Sequence, residues 1–313
     1  MIVAFIDERR AEHGVEPMCQ VLDIAPSTYW RHKQLQREPQ RRSPRAVRHE
    51  RLTEAIVRVH ADNYGVYGYR KIHAALAREG IAAGEDQVRR LMARAGLQGV
   101  VRGRAWTITT SSVPGAPRAV DLVERQFRAP APNRLWVSDF TYVATWTGWT
   151  YVAFVIDAFA DRIVGWRVKT TKDTGLVLDA LEQAVHTRLP AAGAGGELIA
   201  HADAGSQYLS IAYGEHLADA QILPSVGTVG DAFDNALAET IIGLFKTEVI
   251  KRLGPWRNAD AVEYAVLEWV DWFNHRRLLG PLGYIPPAEA ETDHYRANTP
   301  ADTPAGVTPQ ALR

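Results

Sequence analysis

The chain has 313 residues, is 46% hydrophobic, and balances 36 Lys and Arg against 36 Asp and Glu. Its longest apolar stretch, Tyr151 to Ala160, is broken by Asp157 and falls short of the roughly 20 residues a membrane helix needs, so no membrane partner is expected. The single cysteine, Cys19, excludes an internal disulfide and a cysteine-built zinc module.

The amino terminus lacks the basic-then-apolar order of a signal peptide, so a cytoplasmic location is expected. The zero net charge conceals an asymmetry. Residues 1–120 carry 20 Lys and Arg against 12 Asp and Glu, and the remainder carries 16 against 24. A basic front half points to an acidic partner, nucleic acid first, although a solvated charged surface has the same composition.

Residues 1–36 predict a small helical unit. Pro17 to Leu22 has helical spacing, Asp23-Ile24-Ala25 suits a turn, and Pro26 suits the first turn of a helix over Ser27 to Gln36. This is a helix-turn-helix pattern, which any short helical hairpin also produces. Residues 37–58 carry seven arginines and are broken by Pro39 and Pro44. They read as a basic linker able to follow phosphates. A second helix-turn-helix-like unit spans 59–110. Tyr69 to Glu79 is amphipathic and closed by Gly80; Glu85 to Ala95 ends at Gly96 and carries Arg89, Arg90 and Arg94. Residues 111–133, rich in Ser, Pro, Ala and Arg, read as a linker with one short helix near Val120 to Arg125.

From Leu135 the period changes. Leu135–Ala144, Trp149–Phe159 and Ile163–Lys169 are strand-like runs joined by short turns, which predicts an antiparallel meander. Thr174 to Leu189 predicts a helix, Glu197–His201 a short buried strand, Ile211 to Ala220 a helix, and Ile222–Ser225 a short edge strand. Three strands, helix, strand, helix, strand, helix is the order of a ribonuclease-H-like α/β domain, a mixed five-stranded sheet with flanking helices, here over 134–252. A long helix, Ala259 to Arg277, dominates a C-terminal segment over 253–291. Residues 292–313, rich in Ala, Pro and Thr, are expected to be disordered.

Three acids stand out within this frame. Asp139 lies inside the first strand, where Asp is disfavoured. Asp203 follows an apolar strand, at the carboxyl end where α/β sheets bind ligands. Glu239 follows Asn235 at the start of a helix. At about 100° per residue, Glu239 and Lys246 fall within about 40° of Asn235, while Phe233, Leu237, Ile241 and Leu244 lie on the far side as a core face. Glu248 does not fit that wheel. Three carboxylates converging from separate elements make an oxygen-only site for a hard divalent cation, and metal-assisted attack on a phosphodiester is the chemistry that follows. Each acid also has an ordinary alternative: an edge position, a turn cap, and a solvated helix face.

These residues and their surroundings resemble the second-frame (OrfB) transposases of the third insertion-sequence family, whose integrase catalytic core is shared with retroviral integrases. The segments that carry the likeness are Tyr64 to Ile72, Trp136 to Val143, His201 to Tyr208, Gly230 to Glu239, Trp272 to Arg277 and Gly283 to Glu289. Between Asp139 and Asp203 lie 63 residues, and between Asp203 and Glu239 lie 35, the spacing typical of the family. Ala202 and Ala204 depart from it; Ser is usual at the first and Arg frequent at the second.

The resemblance implies cleavage and strand transfer at insertion-sequence ends, with Asp139, Asp203 and Glu239 as catalytic acids holding two Mg²⁺, or Mn²⁺ as substitute. DNA contacts are expected from Asn235 and Lys246 near the scissile phosphate, from Asn274 and Arg277 in the C-terminal segment, and from Arg89, Arg90 and Arg94 on element ends. Self-association on DNA is also implied, with a first-frame (OrfA) protein as partner or frameshift fusion. The alternatives are a DNA-binding regulator with an inactive core and a ribonuclease-H-type nuclease acting on RNA–DNA hybrids.

Overall fold

Prolines start two of the four amino-terminal helices. The structure, a computed structural model, describes residues 2–101, 120–188, 197–227 and 235–298. Helices α1 (Ile2–His13) and α2 (Val15–Val21) precede α3 (Pro26–Arg37), whose first turn holds Pro26. Ile6, Met18, Cys19 and Tyr29 form a small core of their own. The Tyr29 hydroxyl and the Lys33 ammonium both donate to Asp7, at 2.7 and 2.9 Å.

The stretch expected as a basic linker is mostly helix. α4 runs Pro44–Asp62, with Pro44 in its first turn and the Ser43 hydroxyl accepting from Ala46 N at 3.2 Å. At that position the missing proline N–H is no loss, so a residue read as a breaker is an initiator. Leu52, Ile56 and Val59 make a buried stripe on α4. They meet Ile72 and Leu76 of α5 (Tyr69–Arg78) and Val88, Leu91 and Met92 of α6 (Glu85–Arg94).

The helix expected near Val120 to Arg125 is a turn. Asp121 Oδ1 accepts from Val123 N and Glu124 N, and Glu124 and Arg125 have φ of 46° and 64°, left-handed values that no right-handed helix contains. The first part of the same expected linker, residues 111–119, lies outside the described residues.

The α/β unit contains β1 (Leu135–Thr145), β2 (Gly148–Asp157), β3 (Arg162–Lys169), α7 (Thr174–Arg188), β4 (Ile199–Ala202), α8 (Ile211–Asp219), β5 (Leu223–Val226) and α9 (Ala236–Phe245). The strand order is β3-β2-β1-β4-β5. The first three strands form the antiparallel meander; β4 joins β1 in parallel, and β5 joins β4 in parallel. Pro224 sits in β5, an edge strand where a missing N–H is tolerated. On one face Trp136, Val155, Leu181 and Leu217 bring α7 and α8 against the sheet. A Cβ at Gly165 of β3 would lie 2.1 Å from the Ala180 carbonyl oxygen of α7, so glycine sets that helix–strand distance.

On the other face lie α9 and α11 (Ala259–His275), linked by a π-helical turn over Lys246–Ile250 and the short α10 (Lys251–Leu253). The last helix, α12, runs Pro287–Asn298. Residues 292–298, expected to be disordered, are therefore helical. Glu291 of α12 is buried and pairs with Arg188 at 2.6 Å and with Arg162. Residues 299–313 lie outside the described residues.

The helices α4–α6 pack directly on this C-terminal segment and share its hydrophobic cluster. Tyr67 Oη accepts from Leu278 N at 2.7 Å and donates to the Arg276 carbonyl at 3.3 Å. Trp272 Nε1 donates to Asn63 Oδ1 at 3.1 Å, and Arg78 pairs with Glu289 at 2.6 Å. The segment Tyr64 to Ile72 is thus in large part a docking surface.

Candidate active site

Parallel pairing of β1 with β4 sets Ser138 opposite Ala202. The next residues on the two chains are Asp139 and Asp203, so the register itself brings two aspartates side by side across neighbouring strands. Each carboxyl accepts one backbone bond close by, Asp139 from Phe140 N at 2.7 Å and Asp203 from Gly205 N at 3.2 Å. Glu239 comes from the first turn of α9 and is exposed.

Burial, then the negative charge of Asp203 and more weakly that of Glu239, holds the Asp139 carboxyl well above the usual aspartate range, against the pull of Lys246. Burial also raises Asp203, opposed by the Gly205 N–H and by His201. Among the described residues no three His, Cys, Asp or Glu side chains stand close enough to grip one ion as they are. Like charges without a counter-ion repel, and the charge of Glu239 is felt at Asp139. The donor set suits a hard cation: all oxygen, two acids half-buried, and one at the mouth.

The site helix differs from the expected wheel. Ala238, Ile241, Ile242 and Phe245 are its buried residues, so the core arc is rotated towards Glu239, which borders it instead of standing opposite. A carboxylate that must face β1 has to lie at the edge of the packed stripe. Of the expected core face, Ile241 is buried, Leu237 and Leu244 are half-buried, and Phe233 lies outside the described residues with the rest of Gly230 to Asp234.

Lys246 lies near enough to Asp139 for their charges to interact. Burial lowers its ammonium pKa and the Asp139 charge raises it, and Nζ sits 5.5 Å from the Tyr142 ring centre. Asn235, expected on DNA, is buried; its Nδ2 donates to the Ser138 carbonyl at 3.0 Å and ties the start of α9 to β1. Its donor group is therefore already committed one residue from Asp139.

Two further expected DNA contacts are interior residues. Arg277 is 4% exposed; its Nη2 and Nε donate to Glu248 at 2.5 and 3.1 Å, while Trp269 Nε1 reaches the same carboxylate at 3.2 Å. Asn274 is buried and bridges β3, accepting from Ile163 N at 3.0 Å and donating to Ile163 O at 2.8 Å. Both are structural. The π-helical turn at Lys246–Ile250 explains Glu248: the wider turn changes the helical phase and points that side chain inward to Arg277. Arg89, Arg90 and Arg94 are exposed on α6, away from its buried Val88, Leu91 and Met92. Arg89 pairs with Asp86 at 3.0 Å.

Other residues of the neighbourhood carried little sequence signal. His201, buried on β4 two residues before Asp203, shares a hydrogen bond with the Ser225 hydroxyl at 2.9 Å, and Ser225 also accepts from Leu122 N. This ties the segment entering the core to β5. Tyr208 is buried beside Tyr213, ring centres 5.4 Å apart, and the charges of Asp139 and Asp203 add to burial in pushing its hydroxyl far up. A histidine in a four-residue apolar strand was the one available cue.

The integrase core domain family matches this chain over residues 129–232 and again, in a second form, over 220–287. A helix-turn-helix-like domain family matches residues 48–105. A Mycobacterium tuberculosis protein named for the transposase of insertion sequence element IS986/IS6110 is 54% identical over 275 residues, 88% of this chain and 97% of that one. The Shigella sonnei transposase for insertion sequence element IS629 is 49% identical over 294 residues, 94% of this chain and 97% of that one. Among solved structures, the HTLV-2 integrase catalytic core domain in complex with magnesium aligns with 52% of this chain and 99% of its own, at 18% identity and a TM-score of 0.41. Matched by an integrase core and a helix-turn-helix-like domain, and by relatives at about half identity along almost their whole length, the chain belongs to the insertion-sequence transposases of the third family, which cut and join DNA strands on an integrase core.

Proposed function

We propose that Asp139, Asp203 and Glu239 are the catalytic acids of this transposase and together hold two Mg²⁺ ions, with Mn²⁺ able to replace them. The observation that carries this reading is the register that sets Asp139 beside Asp203, with Glu239 close enough for its charge to reach Asp139. When bound, the metal would polarise the scissile phosphodiester and the attacking water or DNA 3′-hydroxyl. The residues' own part is to gather negative charge in one place. Burial makes the Asp139 proton harder to remove, and a cation held there would displace it, so metal binding would release protons. Lys246 lies beside Asp139 and presents a point charge to a phosphate entering there.

Arg89, Arg90 and Arg94 lie outward on α6 and suit contacts to element ends; the helical unit over 1–36 is proposed as a second DNA-binding element. Two ends must be cut together, so we expect at least two copies on DNA, alone or with a first-frame protein, acting in the cytoplasm.

The test uses element-end DNA with Mg²⁺. Asp139→Asn, Asp203→Asn and Glu239→Gln are each expected to abolish cleavage and strand transfer while gel-shift affinity for the ends stays near wild type. Strand transfer by Asp203→Asn would overturn the three-acid site. Calorimetry of Mg²⁺ binding in two buffers of different ionisation heat should show protons released by the wild type and fewer by Asp139→Asn.

A further inference from the structure

Of the seven aromatic side chains exposed among the described residues, three lie within eight positions on the β1–β2 hairpin. Tyr142, Trp146 and Trp149 are 45%, 70% and 55% exposed. The turn that carries them is braced. Tyr142 and Trp149 meet edge to face at 5.1 Å. Thr145 Oγ1 donates to Gly148 O at 2.7 Å across the turn, and Trp146 N donates to the Trp256 carbonyl at 3.0 Å. Tryptophans standing in water on a braced turn do not serve the core, which lies elsewhere.

The surroundings say what they meet. Residues 140–156 contain no charged side chain. The adjoining segment 245–257 carries Lys246, Lys251, Arg252 and Arg257 against one carboxylate, Glu248, which is buried and neutralised by Arg277. Flat aromatic faces rimmed by cations match a ligand of planar rings on a polyanionic backbone. Bases inside a duplex hide their faces by stacking on one another, so the ring faces offered must belong to unpaired nucleotides. Tyr142 lies three residues along β1 from Asp139, about 10 Å and on the other side of the pleat, where β1 has run past its pairing with β4; Trp146 lies about 20 Å away, a span of a few nucleotides. Lys246 joins the two places: its charge is felt at Asp139 and its ammonium lies over Tyr142.

We propose that Tyr142, Trp146 and Trp149 form a stacking platform for unpaired nucleobases of the DNA strand next to the cleavage site, opening the duplex end there. This rests on the reading of Asp139 as part of the cleavage centre.

The full-length chain would be titrated, in EDTA, with a blunt duplex and with the same duplex carrying a single-stranded thymidine overhang that contains 2-aminopurine. For Trp146→Ala with Trp149→Ala, affinity for the overhang substrate is expected to fall on the order of 10- to 100-fold. Affinity for the blunt duplex should change less than about twofold. Wild type is expected to quench 2-aminopurine, the double variant to lose that quenching, and Trp149→Phe to keep most of it. Both tryptophans are exposed, so unchanged thermal unfolding will show that the variant folds.

Equal losses on both substrates, or no loss on either, would overturn the platform. So would a lower mass of the variant's DNA complex, which would assign the hairpin to a contact between copies of the chain. The two readings fail separately. Cleavage retained by Asp139→Asn sinks the acid site, whereas loss of cleavage there with tryptophan variants that bind overhangs normally sinks only the platform.

Discussion

Arg277 and Glu248 show how much a single side chain depends on where the fold puts it. The pair is buried, with Trp269 on the same carboxylate. Arg277→Ala leaves Glu248 charged and alone in the interior, and is expected to lower stability by ~3–5 kcal/mol in chemical denaturation. Replacing both, Arg277→Met with Glu248→Leu, should recover most of that loss. A DNA contact would behave differently, weakening binding and flattening its salt dependence without unfolding the chain. Lys71 offers a pH test. Burial, helped by the Arg277 charge, pulls its ammonium down from the ordinary 10.5 to about 8. Between these values the unfolded chain holds a proton that the folded chain has released, so stability rises with pH across that window; below about 8 both states are protonated and the penalty is complete. Lys71→Met should remove this slope and stabilise the protein at pH 7 by ~1–2 kcal/mol, read as a shift in denaturation midpoint. At this scale the acids were legible and the buried polar residues were not. Asp139 and Asp203 stand out because each breaks a local strand pattern. Asn274 and Arg277 lie in a stretch whose composition suits a surface, and their partners, Ile163 and Glu248, are 111 and 29 residues away. The one warning was Glu248, whose misfit on the helical wheel was the mark of the π-helical turn.

The elements follow local rules, and the misreadings occur where one residue type serves two. The strands and helices of the core lie within about two residues of their expected ends, since hydrophobic period and turn residues are short-range properties. Pro44 was read as a break because proline both starts and stops helices; the stripe Leu52, Ile56, Val59 decides which. Composition likewise hid α12, whose Glu291 is fixed by Arg188 and Arg162, partners far away in sequence. The contact between α7 and β3 is the sharpest constraint among elements. Gly165→Ala places a methyl against the Ala180 carbonyl and must push α7 away from the sheet. A loss of ~1–3 kcal/mol, or more if the backbone cannot yield, is expected in thermal unfolding. Because α7 packs on the face opposite α9, the residual folded enzyme should still cleave element-end DNA.

At the scale of the molecule, the helix-turn-helix-like unit and the integrase core are one packed body, joined by Tyr67 on Leu278, Asn63 on Trp272 and Arg78 on Glu289. These contacts hold α4–α6 to the core directly. The docking therefore works as a ruler. With α6 on the element ends and the three acids cutting, as proposed, the distance between those two places is set by folded protein. Adding about five base pairs between the recognised sequence and the element end turns that end roughly half a helical turn around the DNA axis, and cleavage at the end should be lost. Adding glycine and serine residues within 102–119 should leave the cut position, mapped by primer extension, where it was. If the position follows the inserted residues instead, the docked arrangement is not the one that cuts. With the cut position unmoved by the insertion, the boundary of the mobile DNA is written twice, once in its own sequence and once in the width of this protein.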